Sequence, residues 1–264
     1  MSAVRIRTAA LVAVALFAVF TAAAGSATTS FSYVAMGDSY SSGVGTGSYT
    51  LDATCKRSVY AYPYLFSQKH SMTSFDFVAC SGAKTTDLIA KQLPYLKPTT
   101  NLVTMTIGGN DINFAGLIQQ CTLSDCTSAL LSTTANLSTT LGPALSTTFA
   151  DVKAAAPNAT VIVLGYPHVF SGSTCLGTLG ISATEEKDAN LLSDALDSLL
   201  ATTATSAAYG FKYQSAIPSF TGHAVCSSSP WLNGLNLINT GESYHPTKTG
   251  HSSGYLPLVT AVTG

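Results

Sequence analysis

Residues 160–165 read Thr-Val-Ile-Val-Leu-Gly, with four apolar side chains in succession after the threonine and no alternation. A strand with one wet face alternates apolar and polar residues, so a run without alternation must be covered on both faces, as strands of a parallel sheet are. That requirement constrains the rest of the chain. Residues 31–36 (FSYVAM), 73–79 (TSFDFVA), 102–107 (LVTMTI) and 211–215 (FKYQS) supply four further candidate strands. Between them, helical spacing is expected over Val59 to Lys69, over Asp87 to Leu93, through most of residues 112–156, and from a capping box at Ser182 and Glu185 to about Ala208. Beyond residue 215 an irregular, cysteine-tied region is expected. Strands alternating with helices define an α/β chain with a five-stranded parallel sheet between helical layers.

In such sheets ligands bind beyond the carboxyl ends of the strands. Three turns follow directly on the first three strands: Gly37-Asp38-Ser39, Cys80-Ser81-Gly82 and Gly108-Gly109-Asn110-Asp111. A parallel sheet brings all three to one rim. Ser39 is the candidate nucleophile there, and a serine hydroxyl needs a neighbouring base. Of the five histidines, His245 in Glu242-Ser243-Tyr244-His245-Pro246 is the best placed, held by the following proline and preceded by a carboxylate three residues earlier. His70, His168, His223 and His251 read as packing or pocket-lining residues. Gly250-His251-Ser252-Ser253-Gly254 matches the Gly-x-Ser-x-Gly nucleophile elbow, but no clear strand precedes it and no acid or histidine follows it, so it is set aside.

Gly37-Asp38-Ser39, Gly82, Gly108-Gly109-Asn110-Asp111 and His245-Pro246 together resemble the four blocks of the SGNH (GDSL) hydrolases, most closely the secreted bacterial lipase and esterase branch. The likeness runs in order over nearly the whole of the expected mature chain. It implies a flavodoxin-like three-layer α/β/α sandwich and ester hydrolysis through an acyl-enzyme without a cofactor. It implies Ser39 as nucleophile, His245 as general base and acid, and an oxyanion hole from the Ser39 and Gly82 N–H groups and the Asn110 amide. It further implies disulfides pairing Cys55 with Cys80, Cys121 with Cys126, and Cys175 with Cys226. The family commonly places Asp three residues before the histidine, whereas this chain has Glu242. Either Glu242 orients His245, or a backbone carbonyl near Ser243 does so.

The N-terminus carries Arg5 and Arg7, an uncharged run from Ala9 to Ala24 and small residues at Ala22 to Ala27, the three parts of a secretory signal peptide. Cleavage is expected after Ala24 or Ala27, leaving residues 28–264 as a single domain, secreted and monomeric. Removing Arg5 and Arg7 leaves 10 Lys and Arg against 13 Asp and Glu, a net charge of −3. No basic stripe exists for nucleic acid, and the apolar run is shorter than the ~20 residues of a stable membrane span. In an oxidising compartment six cysteines imply three disulfides, for which residue order alone allows fifteen pairings. Neither Cys-x-x-Cys nor histidine at ligand spacing is present, so no metal site is expected.

The low charge favours a neutral or weakly polar ester, either an acyl lipid or a soluble ester. Tyr40, Phe114, His168, Phe170, Trp231 and Leu232 are the expected pocket walls. A carbohydrate acyl esterase or a phospholipase would use the same chemical groups. A non-catalytic secreted binding module is the reading from a different class, and the intact Ser39, Asn110 and His245 count against it.

Overall fold

The computed structural model describes Met1, Ser2 and residues 30–264. All but the first two positions of the expected signal peptide, including both cleavage positions, lie outside the described residues. Five strands, β1 (Ser30–Ala35), β2 (Ser71–Phe77), β3 (Leu102–Met105), β4 (Thr160–Leu164) and β5 (Lys212–Gln214), form one parallel sheet in the order β2-β1-β3-β4-β5. This is the flavodoxin-like order, in which the chain reverses its direction of winding between β1 and β3. The β1–β3 register pairs Tyr33 with Leu102, Val34 with Val103 and Ala35 with Thr104.

Successive strand residues face opposite sides, and the two sides are two separate cores. Tyr33, Ala35, Leu102, Ile162 and Leu164 belong to one; Val34, Met36, Val103, Met105, Val161 and Val163 belong to the other. The four apolar residues of β4 are divided between them, which is why the strand shows no alternation.

The helices are α1 (Ser39–Ser42), α2 (Tyr62–Ser67), α3 (Thr85–Asp87), α4 (Phe114–Cys121), α5 (Thr127–Thr140), α6 (Gly142–Ala155), α7 (Ala183–Ala204), α8 (Ala216–Ser219) and α9 (Leu256–Thr263). Tyr62 and Phe66 of α2 pack with Leu256 and Val259 of α9 on the first face. On the second face, Leu145, Phe149 and Val152 of α6 pack with Leu196 and Leu200 of α7. The result is a three-layer α/β/α sandwich. At the start of α7, Ser182 Oγ accepts from the Glu185 N–H at 3.3 Å while the Glu185 carboxylate accepts from the Ser182 N–H at 2.8 Å, so two otherwise unpaired N–H groups are satisfied.

The C-terminal region departs from the expected irregular chain. A π-helical turn at Gly250–Tyr255 leads straight into α9. Pro257 sits in the first turn of α9, where its missing N–H costs nothing. Gly250 and Gly254, which resemble loop residues in the sequence, are contact residues instead. A Cβ on Gly250 would lie 2.5 Å from the Trp231 carbonyl oxygen, and one on Gly254 would lie 2.4 Å from the Phe220 ring. The Gly-x-Ser-x-Gly match is therefore part of a helix, with His251 fully buried and accepting from the Tyr62 N–H at 3.4 Å.

Candidate active site

The reversal between β1 and β3 leaves a crevice at their carboxyl ends, and the chain after β1 turns into it. Met36 and Asp38 continue the pairing with the β3 side through N–H donation to Thr104 O (2.9 Å) and Thr106 O (3.0 Å). Between them Gly37 adopts φ +114°, and a Cβ there would sit 2.4 Å from Thr106 O, so only glycine fits. Asp38 then caps α1. Its carboxylate accepts from the Tyr40 N–H (3.0 Å), the Thr106 hydroxyl (2.7 Å) and the Tyr166 hydroxyl. Burial raises its pKa to about 6 against the opposing pull of those donors. Ser39 follows as the first residue of α1, nearly buried, and its N–H has no hydrogen-bond partner among the described residues.

His245 reaches this corner from the other end of the chain. Its Nε2 lies 2.8 Å from Ser39 Oγ, and its Nδ1 lies 2.8 Å from the carbonyl oxygen of Ser243. A carbonyl can only accept, so Nδ1 carries the proton and Nε2 offers its lone pair to the serine hydroxyl. Burial lowers the His245 pKa to about 4; the bond to Ser243 opposes this and nearby Lys56 adds to it. The ring is neutral at pH 7. Tyr244 precedes it at φ +62°, a left-handed turn, and the Tyr40 hydroxyl fixes that turn by donating to Tyr244 O at 2.6 Å.

Glu242 is not on the imidazole. Its carboxylate accepts from the Tyr49 hydroxyl at 2.5 Å, and the left-handed turn at Tyr244 gives Nδ1 the Ser243 carbonyl instead. Of the two arrangements open from the sequence, this geometry has the backbone-carbonyl one.

Gly82 stands at φ +79° with an N–H that makes no bond among the described residues. Its turn is tied to the nucleophile turn by the Cys80 N–H, which donates to Gly37 O at 3.0 Å, and to the neighbouring loop by the Cys55–Cys80 disulfide. The Asn110 amide donates to Ala83 O at 3.0 Å, so the third turn is pinned to the second. Ser39, Gly82, Asn110 and His245 all line one cavity of about 650 Å³, a size within the usual range for ligand pockets.

Most of the remaining wall is apolar and includes Phe114, Ile118, Leu123, Leu179, Leu196 and Leu235. Of the walls expected from sequence, Tyr40 and Phe114 line the cavity. The other four do not. His168 pairs with Asp194 at 2.7 Å, Phe170 is buried against the Tyr244 ring, Trp231 stacks on His223 at 3.5 Å between centroids, and Leu232 is buried. Leu123 carried a readable signal: an apolar residue among the four between Cys121 and Cys126. Leu179 and Leu235 carried none.

Among the described residues one group has metal-like closeness, Cys121, Cys126 and Glu185. Its two sulfurs are bonded to each other, and its carboxylate accepts from the Cys126 and Ser182 N–H groups, so it offers no ligand set. The third disulfide joins Cys175 to Cys226. No helix among the described residues is long and apolar enough to cross a membrane.

A serine hydroxyl held against a neutral imidazole, at the polar end of an apolar cavity on this sheet, is the arrangement of a serine ester hydrolase. Comparison with known proteins agrees. The chain is 47% identical over 232 residues to lipase 1 of Streptomyces coelicolor, covering 86% of this chain and 85% of that one. Among solved structures it resembles phospholipase A1 of Streptomyces albidoflavus (41% identity, TM-score 0.84, 88% and 99% of the two chains). It also resembles the extracellular lipase of Streptomyces rimosus (40% identity, TM-score 0.81, 87% and 98%). Residues 35–252 match the GDSL-like lipase/acylhydrolase family, and the chain belongs to it. It is a carboxylic ester hydrolase.

Proposed function

We propose that the protein is a secreted lipase whose nucleophile is Ser39. His245 Nε2 takes the Ser39 proton as Oγ attacks the ester carbonyl, and the imidazolium so formed returns it to the departing alkoxide. The acyl-serine is then cleaved by water through the same base. The N–H groups of Ser39 and Gly82 and the Asn110 amide hold the oxyanion. Ser243 O orients the base, and Glu242 takes no part in proton transfer. The 2.8 Å contact between His245 and Ser39 at the end of a leucine-lined cavity carries this reading.

Residues 1–27 act as the signal peptide, residues 28–264 form one domain, and the mature protein works as a monomer outside the cell. Three disulfides suit an oxidising compartment, and the Streptomyces rimosus relative is an extracellular lipase. Phospholipid is a second candidate substrate, because Lys56 is a cation in the cavity wall.

Nitrophenyl esters from acetyl to palmitoyl test the proposal. Ser39→Ala is expected to lower kcat/KM by at least ~10³-fold, and the intact enzyme should favour chains longer than acetyl. Turnover unaffected by the substitution would refute the mechanism. An acetyl optimum would favour carbohydrate deacetylation.

A further inference from the structure

Five large aliphatic side chains project into solvent on three loops beside the cavity mouth: Leu123, Leu176, Leu179, Leu237 and Ile238, each between 56% and 100% exposed. Apart from the terminal Met1, every other large apolar side chain among the described residues is less than half exposed. Exposure at this level is thus concentrated in one place. The three loops touch one another. A Cβ on Gly180 would lie 2.5 Å from Thr122 O, and one on Gly234 would lie 2.5 Å from the Gly177 Cα. The Leu235 N–H donates to Gly177 O at 2.9 Å. Disulfides brace two of the loops, Cys121–Cys126 closing the first and Cys175–Cys226 anchoring the second.

These side chains contribute to neither core, and aliphatic surface left in water forgoes burial energy. Leu123, Leu179 and Leu237 also line the cavity, so the exposed patch is continuous with the catalytic pocket. Leu176 and Ile238 lie outside the cavity, and acyl-chain binding does not explain them. Residues 122–126, 175–181 and 233–243 contain Asp125 and Glu242 and no Lys or Arg. A surface built to meet anionic lipid would carry basic residues. The five side chains stand on turns, bends and one 3-10 turn rather than on a strand edge or a long helix face, which suits a fluid partner more than one of fixed shape.

We propose that these five residues form a docking surface for aggregated zwitterionic lipid, seating the cavity mouth against the lipid so that substrate enters without crossing water. This rests on the acyl-lipid reading of the cavity. The test uses phosphatidylcholine vesicles and sedimentation, with every chain carrying Ser39→Ala so that no lipid is consumed. Adding Leu176→Ser and Ile238→Ser should weaken partitioning at least ~10-fold, or ~1.4 kcal/mol, and added salt should change it little. In the Ser39 enzyme, the same pair should leave hydrolysis of dissolved nitrophenyl acetate within about twofold, since neither residue lines the cavity. Unchanged partitioning would overturn the proposal. So would a solution dimer that the pair dissociates without weakening vesicle binding. Failure of the Ser39 enzyme on dissolved ester would refute the catalytic reading alone, because the vesicle measurement does not depend on turnover.

Discussion

A carbonyl oxygen bears only a partial charge, so Ser243 O holds the His245 ring in one tautomer with less stabilisation of the imidazolium than a carboxylate would give. Glu242→Gln keeps an oxygen that can accept from the Tyr49 hydroxyl. Its kcat/KM on a nitrophenyl ester should stay within about threefold, whereas loss near the ~10⁴-fold seen when a triad carboxylate is neutralised would restore Glu242 to the mechanism. The lowered pKa of His245 sets the acid limb. The neutral ring is the active form, so kcat/KM should be half-maximal near pH 4 and rise about twofold further to a plateau roughly one to two pH units higher. A midpoint near the ordinary histidine value of 6.5 would mean that the ring is not desolvated. The same shift has a stability consequence: between 6.5 and about 4 the unfolded chain binds the proton more readily, so the His245 contribution falls as pH falls through that window. That Ser39, Gly82, Asn110 and His245 share one cavity was legible in the sequence because each lies in a recognisable turn or precedes a proline. Ser243 could be named only as one of two options, since a peptide carbonyl has no residue type and the left-handed turn at Tyr244 has no glycine to announce it.

Among the elements, the π-helical turn Leu88–Gln92 serves the site most directly. It aims the buried Gln92 amide at the first residue of the nucleophile turn: Oε1 accepts the Gly37 N–H at 2.7 Å and Nε2 donates to Gly37 O at 2.9 Å. Gln92→Leu would leave that carbonyl its bond from the Cys80 N–H but strand the Gly37 N–H. An orphaned buried donor costs ~1 to 3 kcal/mol. At ~2–4 °C per kcal/mol for a chain of this size, Tm should fall by several degrees, and calorimetry would show it. An unchanged Tm would mean that another group or a water satisfies Gly37. The sequence pattern marked a helix over Asp87 to Leu93, but periodicity does not reveal a wider turn or a glutamine pointing inward. The five strands were legible because they are short, apolar, alternating or aromatic segments bounded by turn residues. Helix α9 was not, because Gly250, Gly254 and Pro257 look like loop chemistry until Trp231, Phe220 and the helix start are seen around them.

Across the whole molecule, ionic contacts are few: two Lys or Arg ion pairs with carboxylates among the described residues, Arg57–Asp52 and Lys91–Asp87. The two cores and the three disulfides therefore carry the tertiary structure. The disulfides span 51, 25 and 5 residues, for Cys175–Cys226, Cys55–Cys80 and Cys121–Cys126 respectively. If each acts mainly by restricting the unfolded chain, their contributions rank with span, at about 4, 3.5 and 2 kcal/mol. Paired Cys→Ala variants should lower Tm in that order, with Cys175→Ala and Cys226→Ala the most damaging. Losses of equal size, or a larger loss from the shortest span, would instead place the stabilisation in native packing around each sulfur pair. The Cys55–Cys80 pair separates the two accounts further, because Cys80 donates to Gly37 O and lies two residues before Gly82. Its removal should also lower turnover measured well below Tm. Removing Cys121–Cys126, which closes a loop at the apolar end of the cavity, should leave turnover of a short dissolved ester close to that of the intact enzyme.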